Sequence, residues 1–476
     1  MEDPGRRLTR VFFDKTKGGS ELKGQKPAAL FKGRCRNMNN KNYETGWVER
    51  ISYGLSDAAD NLIFQMMSSY LLFFYTDVYG LRARDVGILF AIARFMDVIE
   101  SVILGLMIDR THSKYGKSRP FFLWYAVPYV AVAILTFVTP DFSGSGKLVW
   151  AYVTYLGLGF LYTAVNLPVT SILPTMTKND REITILGVIR QFFGSLVQVV
   201  VATFTIPLVK LIGQGNQQKG FLGTVIIFGI ISLVLILNTF VQVRERHTNE
   251  DMIHQPLSKV WDMLRHNKPW IILSIVVFLY WLSTAIKNQT TIYYFKYVYN
   301  NDNLVSWANS FMLASIIGVL LILRFTQVRS KKSTMSHGIL IELLGQAIIG
   351  VGAYTKILAI TFAGIFVNSI GNGIVIGLVS IMIADTISYG TTMGIQAEGL
   401  LASTSDWGVN LGLGIGGLIT AMMFDASGYV ANQVQNAATI RMIDLNFVWI
   451  PLVIYVVMYL ILRKYDESVM QVQAQE

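Results

Sequence analysis

Apolar runs of about twenty residues, repeated about twelve times, leave this chain of 476 residues few folds to choose from. Such runs are too long for strands and too evenly apolar for the surface helices of a soluble protein. In a bilayer every backbone N–H and C=O must be paired within the segment, so each run has to be a helix. Composition agrees: 53% of residues are hydrophobic and 15% charged, against about a quarter charged in a soluble chain. The expected class is therefore an all-α, multi-pass membrane protein. The runs lie near 53–79, 85–109, 120–140, 146–173, 183–213, 220–243, 269–298, 303–326, 334–354, 357–387, 396–425 and 444–464.

Charge sets their direction. The net charge is +10, but the basic residues sit in alternate loops between spans: Arg110, Lys114, Lys117 and Arg119; Lys178 and Arg181; Arg244 to Lys268; Arg329, Lys331 and Lys332. That pattern marks cytoplasmic loops rather than a nucleic-acid surface, and it places both termini in the cytoplasm of a cell (plasma) membrane protein. The chain divides into a polar cytoplasmic tail over 1–47, a six-helix half over 48–243, a cytoplasmic linker over 244–268, a second six-helix half over 269–464 and a short tail over 465–476. Met38 is a candidate start that would leave 1–37 outside the native protein. Two six-helix halves joined by a cytoplasmic linker is the layout of the major facilitator fold, its halves related by an axis along the membrane normal. The lone Cys35 excludes a disulfide framework. No Gly-x-x-x-x-Gly-Lys loop and no His/Cys ligand spacing occurs, so neither an ATP-driven pump nor an enzyme is expected, and no cofactor.

The informative residues are the polar ones inside the spans, because a charge at the bilayer centre costs about 2.5–3.5 kcal/mol on insertion scales. Asp57, Asp60 and Asn61 share a face of the first span; the acids are either solvated near a helix start or turned into a cavity. Arg94, Asp97, Glu100 and Ser101 share a face of the second, as a structural ion pair or as a site for a cation. Asn166 lies between Thr163 and Thr170 in the fourth span and must bond a neighbouring helix or a ligand. Arg190 in the fifth needs acceptors. Lys287 in the seventh faces a cavity or snorkels. Asn410 lies in the eleventh, and Glu342 in the ninth stands isolated with no assigned role.

Several ordered motifs resemble the glycoside–pentoside–hexuronide:cation symporters, the melibiose-carrier-like family of the major facilitator superfamily. They are Tyr53-Gly54-Leu55-Ser56-Asp57, the stretch Tyr70 to Gly80, Ala93-Arg94-Phe95-Met96-Asp97, Tyr115-Gly116-Lys117-Ser118-Arg119-Pro120, Asn166-Leu167-Pro168, Arg190-Gln191-Phe192-Phe193 and Met382-Ile383-Ala384-Asp385. The resemblance covers nearly everything from Val48 to Arg463. It implies sugar uptake driven by a cation gradient, with Asp97 as cation ligand or protonated group, Thr163 near it, and Arg190 helping to hold the sugar. The chain also departs from the melibiose carrier, which has a carboxylate at the positions of Ser101, Asn61 and Asn166, a Lys at Asn410, a Trp at Thr170, a basic residue at Asp60 and an amide at Glu100. Fewer acids in the sugar site favour an anionic sugar such as a hexuronide, and one remaining acid in the pair favours proton over sodium coupling.

The expected function is import of a glycoside, pentoside or hexuronide by H+ or Na+ symport through alternating access; the alternatives are an uncoupled sugar facilitator and a transport-dead sugar sensor. Candidate substrate contacts are Asn61, Asn166, Arg190, Asn410, Thr170 and Lys287. Candidate coupling residues are Asp97, with sodium as a possible occupant, Glu100, Ser101, Thr163 and Arg94. Arg110, Lys117, Arg119 and Asp385 are candidates for a cytoplasmic gate. The expected partners are a small sugar or glycoside and the bilayer, with no nucleic acid and no obligate protein.

Overall fold

The computed structural model describes residues 43–247, 267–326, 328–392 and 398–467. Most of the tail, the Met38 start and most of the linker lie outside them. Residues from Thr45 onward form one unit, apart from Met1–Glu44, and everything below concerns that unit.

Twelve helical stretches follow one another among the described residues, without a strand. The first six are α1 (Trp47–Phe73), α2 (Ala83–Arg110), α3 (Arg119–Thr136), α4 (Gly144–Met176), α5 (Asp180–Gly213) and α6 (Gln217–Gln242). Then come α7 (Lys268–Tyr293) and α8, which runs from Leu304–Ser310 through the tight turn Phe311–Ala314 into Ser315–Phe325. The last four are α9 (Lys331–Thr355), α10 (Leu358–Thr392), α11 (Glu398–Ala426) and α12, which joins Ala437–Asp444 to Ile450–Leu462 through Leu445–Trp449. Their starts follow local chemistry. Asn216, Asn267, Ser330 and Asn436 each accept a backbone N–H of the first turn, and Pro120 and Pro269 sit where a missing N–H costs nothing.

Ten of the twelve are long and apolar enough to cross a membrane on length and composition. The other two, α1 and α2, have the length but carry Asp57 and Asp60, and Arg94, Asp97 and Glu100, within it. The helices least suited to lipid are those holding the candidate site.

The two halves repeat one packing plan. In the first, α1 packs on α5 and α6, and α3 on α4 and α6; in the second, α7 packs on α11 and α12, and α9 on α10 and α12. Smaller details repeat too. Both α1 and α7 end in a π-helical turn, Phe74–Val78 and Tyr294–Val298, followed shortly by a left-handed residue, Gly80 (φ 81°) and Asn300 (φ 51°). After α6, the Glu245 carboxylate accepts the backbone N–H groups of Lys117, Ser118 and Arg119 and caps α3. After α12, Glu467 accepts the N–H of Lys332 and caps α9 in the same way. Gly116 (φ 108°) makes the first cap possible, since a Cβ there would lie 2.5 Å from the Glu245 carboxyl carbon.

The halves meet along α2 with α11, α5 with α8, and α1 with α7. The hydrogen bonds joining them cluster toward the end away from the termini. There Asp77, whose side chain is fully buried, receives Lys296 Nζ at 2.7 Å, Tyr429 OH at 2.5 Å and Tyr297 OH. Asn432 Nδ2 donates to the Asp77 carbonyl at 2.6 Å, and Lys210 pairs with Asp302 at 2.5 Å. At the end bearing the termini, bonds among the described residues run within one half. Glu182 accepts from Arg50 at 2.8 Å, from Thr177 at 2.8 Å and from Thr45, and Arg246 pairs with Glu49 at 2.7 Å. Burial pushes the Glu182 carboxyl up, but those hydrogen bonds together outweigh it and hold it down at about 2.

Candidate functional site

Three polar groupings line the inner faces of the first half. In the first, Arg190 Nε of α5 donates to Asp57 Oδ1 of α1 at 2.8 Å, and Asn61 Nδ2 donates to Asp57 Oδ2 at 3.1 Å. A Cβ on Gly194 would fall 2.0 Å from Asp57 Oδ2, so only glycine lets α5 lie over that carboxylate. In the second grouping, Asn166 Nδ2 of α4 donates to Asp60 Oδ2 at 3.0 Å. Asp60 is fully buried, and its Oδ1 has no hydrogen-bond partner. These contacts settle the question the first span left open: both acids turn inward, and neither is a solvated helix start.

The third grouping stands between α2 and α4. Arg94 Nη1 donates to Asp97 Oδ2 at 2.8 Å, and Arg94 Nη2 donates to Tyr155 OH at 3.2 Å. The opposite face of α4 is cut away at Gly159: a Cβ there would lie 3.4 Å from Asp97 Oδ1 and 3.8 Å from Glu100 Oε2. Both carboxylates therefore border one small gap, and Glu100 Oε2 is buried without a partner. The second half closes on this grouping through α11, where a Cβ on Gly414 would meet Arg94 Cγ at 2.3 Å. Asn410 lies one turn away, half-buried. Among the described residues no group of three His, Cys, Asp or Glu side chains is placed to hold a metal ion.

The sequence-level candidates divide on this geometry. Asn61 and Arg190 meet through Asp57, Asn166 meets Asp60, and Arg94, Asp97 and Glu100 gather at Gly159. Ser101 is half-buried on the same helix. Thr163 and Thr170 do not join them: Thr163 donates to its own helix at Gly159 O (3.1 Å), and the exposed Thr170 to Leu167 O (2.8 Å). Hydroxyls in helices return to a carbonyl three or four residues back when nothing better is in reach. Asn61 and Asn166 each give an NH2 hydrogen to a neighbouring acid.

The four gate candidates do not form one gate. Arg110 is exposed. Lys117 and Arg119 give their backbone amides to Glu245, and the Arg119 guanidinium bonds Phe240 O at 2.8 Å. Asp385 pairs with Lys331 at 2.6 Å, within the second half. Lys287 Nζ donates to Asn368 Oδ1 at 2.6 Å, so it is engaged rather than snorkelling. Sequence reasoning left Asp57 and Asp60 undecided and missed Glu182, Glu245 and Asn368, all of which find their partners on other helices or loops. A usable signal existed for the first two: acids close to the middle of a membrane-length helix need partners.

The sequence model for the family described as MFS/sugar transport protein matches residues 52–466. The chain belongs to that family. It is 39% identical to the isoprimeverose transporter of Lactiplantibacillus pentosus over 86% of each chain. It is 31% identical to a putative glycoside/cation symporter of Escherichia coli (strain K12), over 90% of this chain and 93% of that one. In fold it is similar to the crystal structure of a D-xylose-proton symporter, at a TM-score of 0.66 and 13% identity, covering 88% of this chain and 97% of the other. As a member of the MFS/sugar transport family the protein is an all-α, multi-pass membrane transporter with the major facilitator fold, and not an enzyme.

Proposed function

We propose that the protein imports a glycoside by symport with a cation, proton in preference to sodium, through a pathway between its two halves. The observation that carries the coupling is the convergence of Asp97 and Glu100 on the gap at Gly159, with Arg94 bonded to one of them. A sodium ion wants five or more oxygens and no neighbouring positive charge, whereas a proton needs one carboxylate. Arg94 already holds one Asp97 oxygen, which favours the smaller demand. Asp97 and Glu100 are the coupling pair in this reading. Ser101 has only its place on the helix to support it, and the Thr163 hydroxyl, turned to its own backbone, assists weakly.

The sugar is held between the halves by Asn61, Asn166, Arg190 and Asn410, with Asp57 and Asp60 added as acceptors for sugar hydroxyls. Thr170 and Lys287 do not reach this cluster and are left out of the proposed sugar contacts. Asp57 compensates the Arg190 charge, so an anionic sugar loses its advantage. A neutral disaccharide such as isoprimeverose, for which the relative is named, fits the site better than a hexuronide. The basic loops at the end bearing the termini support an orientation with both termini in the cytoplasm of the cell membrane. In that orientation the bonds around Asp77 close the outer end.

Vesicles containing the purified protein, given labelled isoprimeverose and an imposed inward proton or sodium gradient, test this. Accumulation with the proton gradient is expected. Equilibration without accumulation under either gradient would make the protein a facilitator.

A further inference from the structure

The second half buries one acid for which the mechanism above has no use. Glu342 on α9 is fully buried, and neither carboxylate oxygen has a hydrogen-bond partner. Asn368 of α10 bonds its backbone instead, Nδ2 donating to the Glu342 carbonyl at 2.8 Å. The other end of that amide, Oδ1, accepts from Lys287 Nζ of α7 at 2.6 Å. A single asparagine thus stands between an ammonium and an acid that do not touch. The acid is no accident of loose packing, because α9 and α10 are in backbone contact there: a Cβ on Gly371 would lie 2.4 Å from the Glu342 N and 2.8 Å from its Cγ.

A pair that served only to hold α7 to α9 would be bonded, since an ionised carboxylate without donors is expensive to bury. Glu342 has room for the other solution, which is to carry a proton. The remaining titratable groups facing it are Tyr280 of α7 and Tyr455 of α12; α10 brings the amides Asn368 and Asn372, of which Asn372 donates to Tyr280 OH at 2.9 Å. Lys287 is half-buried where Glu342 is sealed, so Lys287 is the more accessible member of the pair.

We propose that Glu342, with Lys287 as its counter-charge, is a second proton-carrying group. Its carboxylate binds one proton from the side to which the pathway is open. It crosses the cycle as a neutral acid beside the Lys287 ammonium and releases that proton on the other side. This rests on the reading of the protein as a coupled transporter and adds a site in the half that reading leaves idle.

The experiment uses E342Q and the double variant K287Q/E342Q in proteoliposomes with labelled isoprimeverose. E342Q is expected to lose accumulation driven by a proton gradient while keeping exchange of labelled for unlabelled sugar, because exchange needs no net proton movement. Accumulation equal to that of the unaltered protein would overturn the proposal. Should E342Q lose exchange as well, the double variant, which buries no lone charge, decides. Exchange without accumulation supports a proton carrier, and restored accumulation means the pair is only structural. A readout independent of the sugar is the infrared carbonyl stretch of a protonated carboxyl. One such band should vanish on alkalinisation of the unaltered protein and be missing from E342Q; no difference between the two proteins would also sink the idea. If the unaltered protein accumulates nothing under any gradient, the proposed function fails, and the infrared band alone then decides whether Glu342 takes a proton.

Discussion

The two halves share a scaffold but not a chemistry. Both end their first helix in a π-helical turn and a left-handed residue, and both cap their third helix with a glutamate that follows their sixth. Inside the membrane they diverge. The first half carries Asp57, Asp60, Arg94, Asp97, Glu100 and Arg190 on its inner faces, with bonds linking α1 to α4 and α5, and α2 to α4. The described spans of the second bury Lys287 and Glu342, with an amide between them. Packing, a matter of backbone approach and helix ends, survives in both copies. Charge, which is costly wherever it has no work, is kept where it has some. On the proposed function, binding and principal coupling fall mainly to the first half.

The sharpest way to break that contrast is Asp97→Asn. Gradient-driven accumulation should disappear, while Arg94, left without its buried partner, costs about 3–5 kcal/mol of stability. Uptake and thermal unfolding measured on the same preparation separate the two effects, and full accumulation would return coupling to other residues. Next in size, Arg190→Ala should weaken sugar binding by about tenfold, or about 1.4 kcal/mol, and leave Asp57 unpaired; unchanged affinity in a binding titration removes Arg190 from the site. A smaller effect is expected in the second half from Gly345→Ala, whose new methyl would lie 2.2 Å from Asn368 N. Overpacking of this kind costs about 1–3 kcal/mol, read as a lowered unfolding midpoint; because Asn368 bonds both Lys287 and Glu342, the coupling ratio should fall with it, and an unchanged ratio would confine those bonds to packing.

The smallest effect belongs to Glu182, at the end bearing the termini. Its folded carboxyl is depressed to about 2 from an ordinary 4.5. The ionised form is therefore the one the fold prefers: its contribution is complete above about pH 4.5 and is lost as pH falls toward 2. Unfolding midpoints measured down through that window should drop less steeply in Glu182→Gln than in the unaltered protein, and equal slopes would remove the carboxylate from the account.

Much of this was legible in the sequence. Twelve helices came from the apolar runs, and the pairing of Arg94 with Asp97 from a spacing of three. What escaped has one physical character, partners far apart in the chain. Glu342 looked isolated because Asn368 and Lys287 come from other helices. Asp57 and Asp60 stayed undecided between solvation and a cavity because Arg190 and Asn166 lie more than a hundred residues on. The hydroxyls of Thr163 and Thr170 misled in the opposite sense: a helix offers such a group its own carbonyls, and no pattern in the chain shows when it will accept them.

The ring of donors around Asp77 carries one more consequence. Lys296, Tyr297 and Tyr429 all bond the side chain of a single residue, and Asn432 its carbonyl, rather than being spread along the rim. A seal with one keystone has no half-open form: once the second half tilts far enough to draw one donor away, the others have lost their geometry as well. The end away from the termini should then behave as a latch with two positions, and conversion between them as an abrupt, cooperative event.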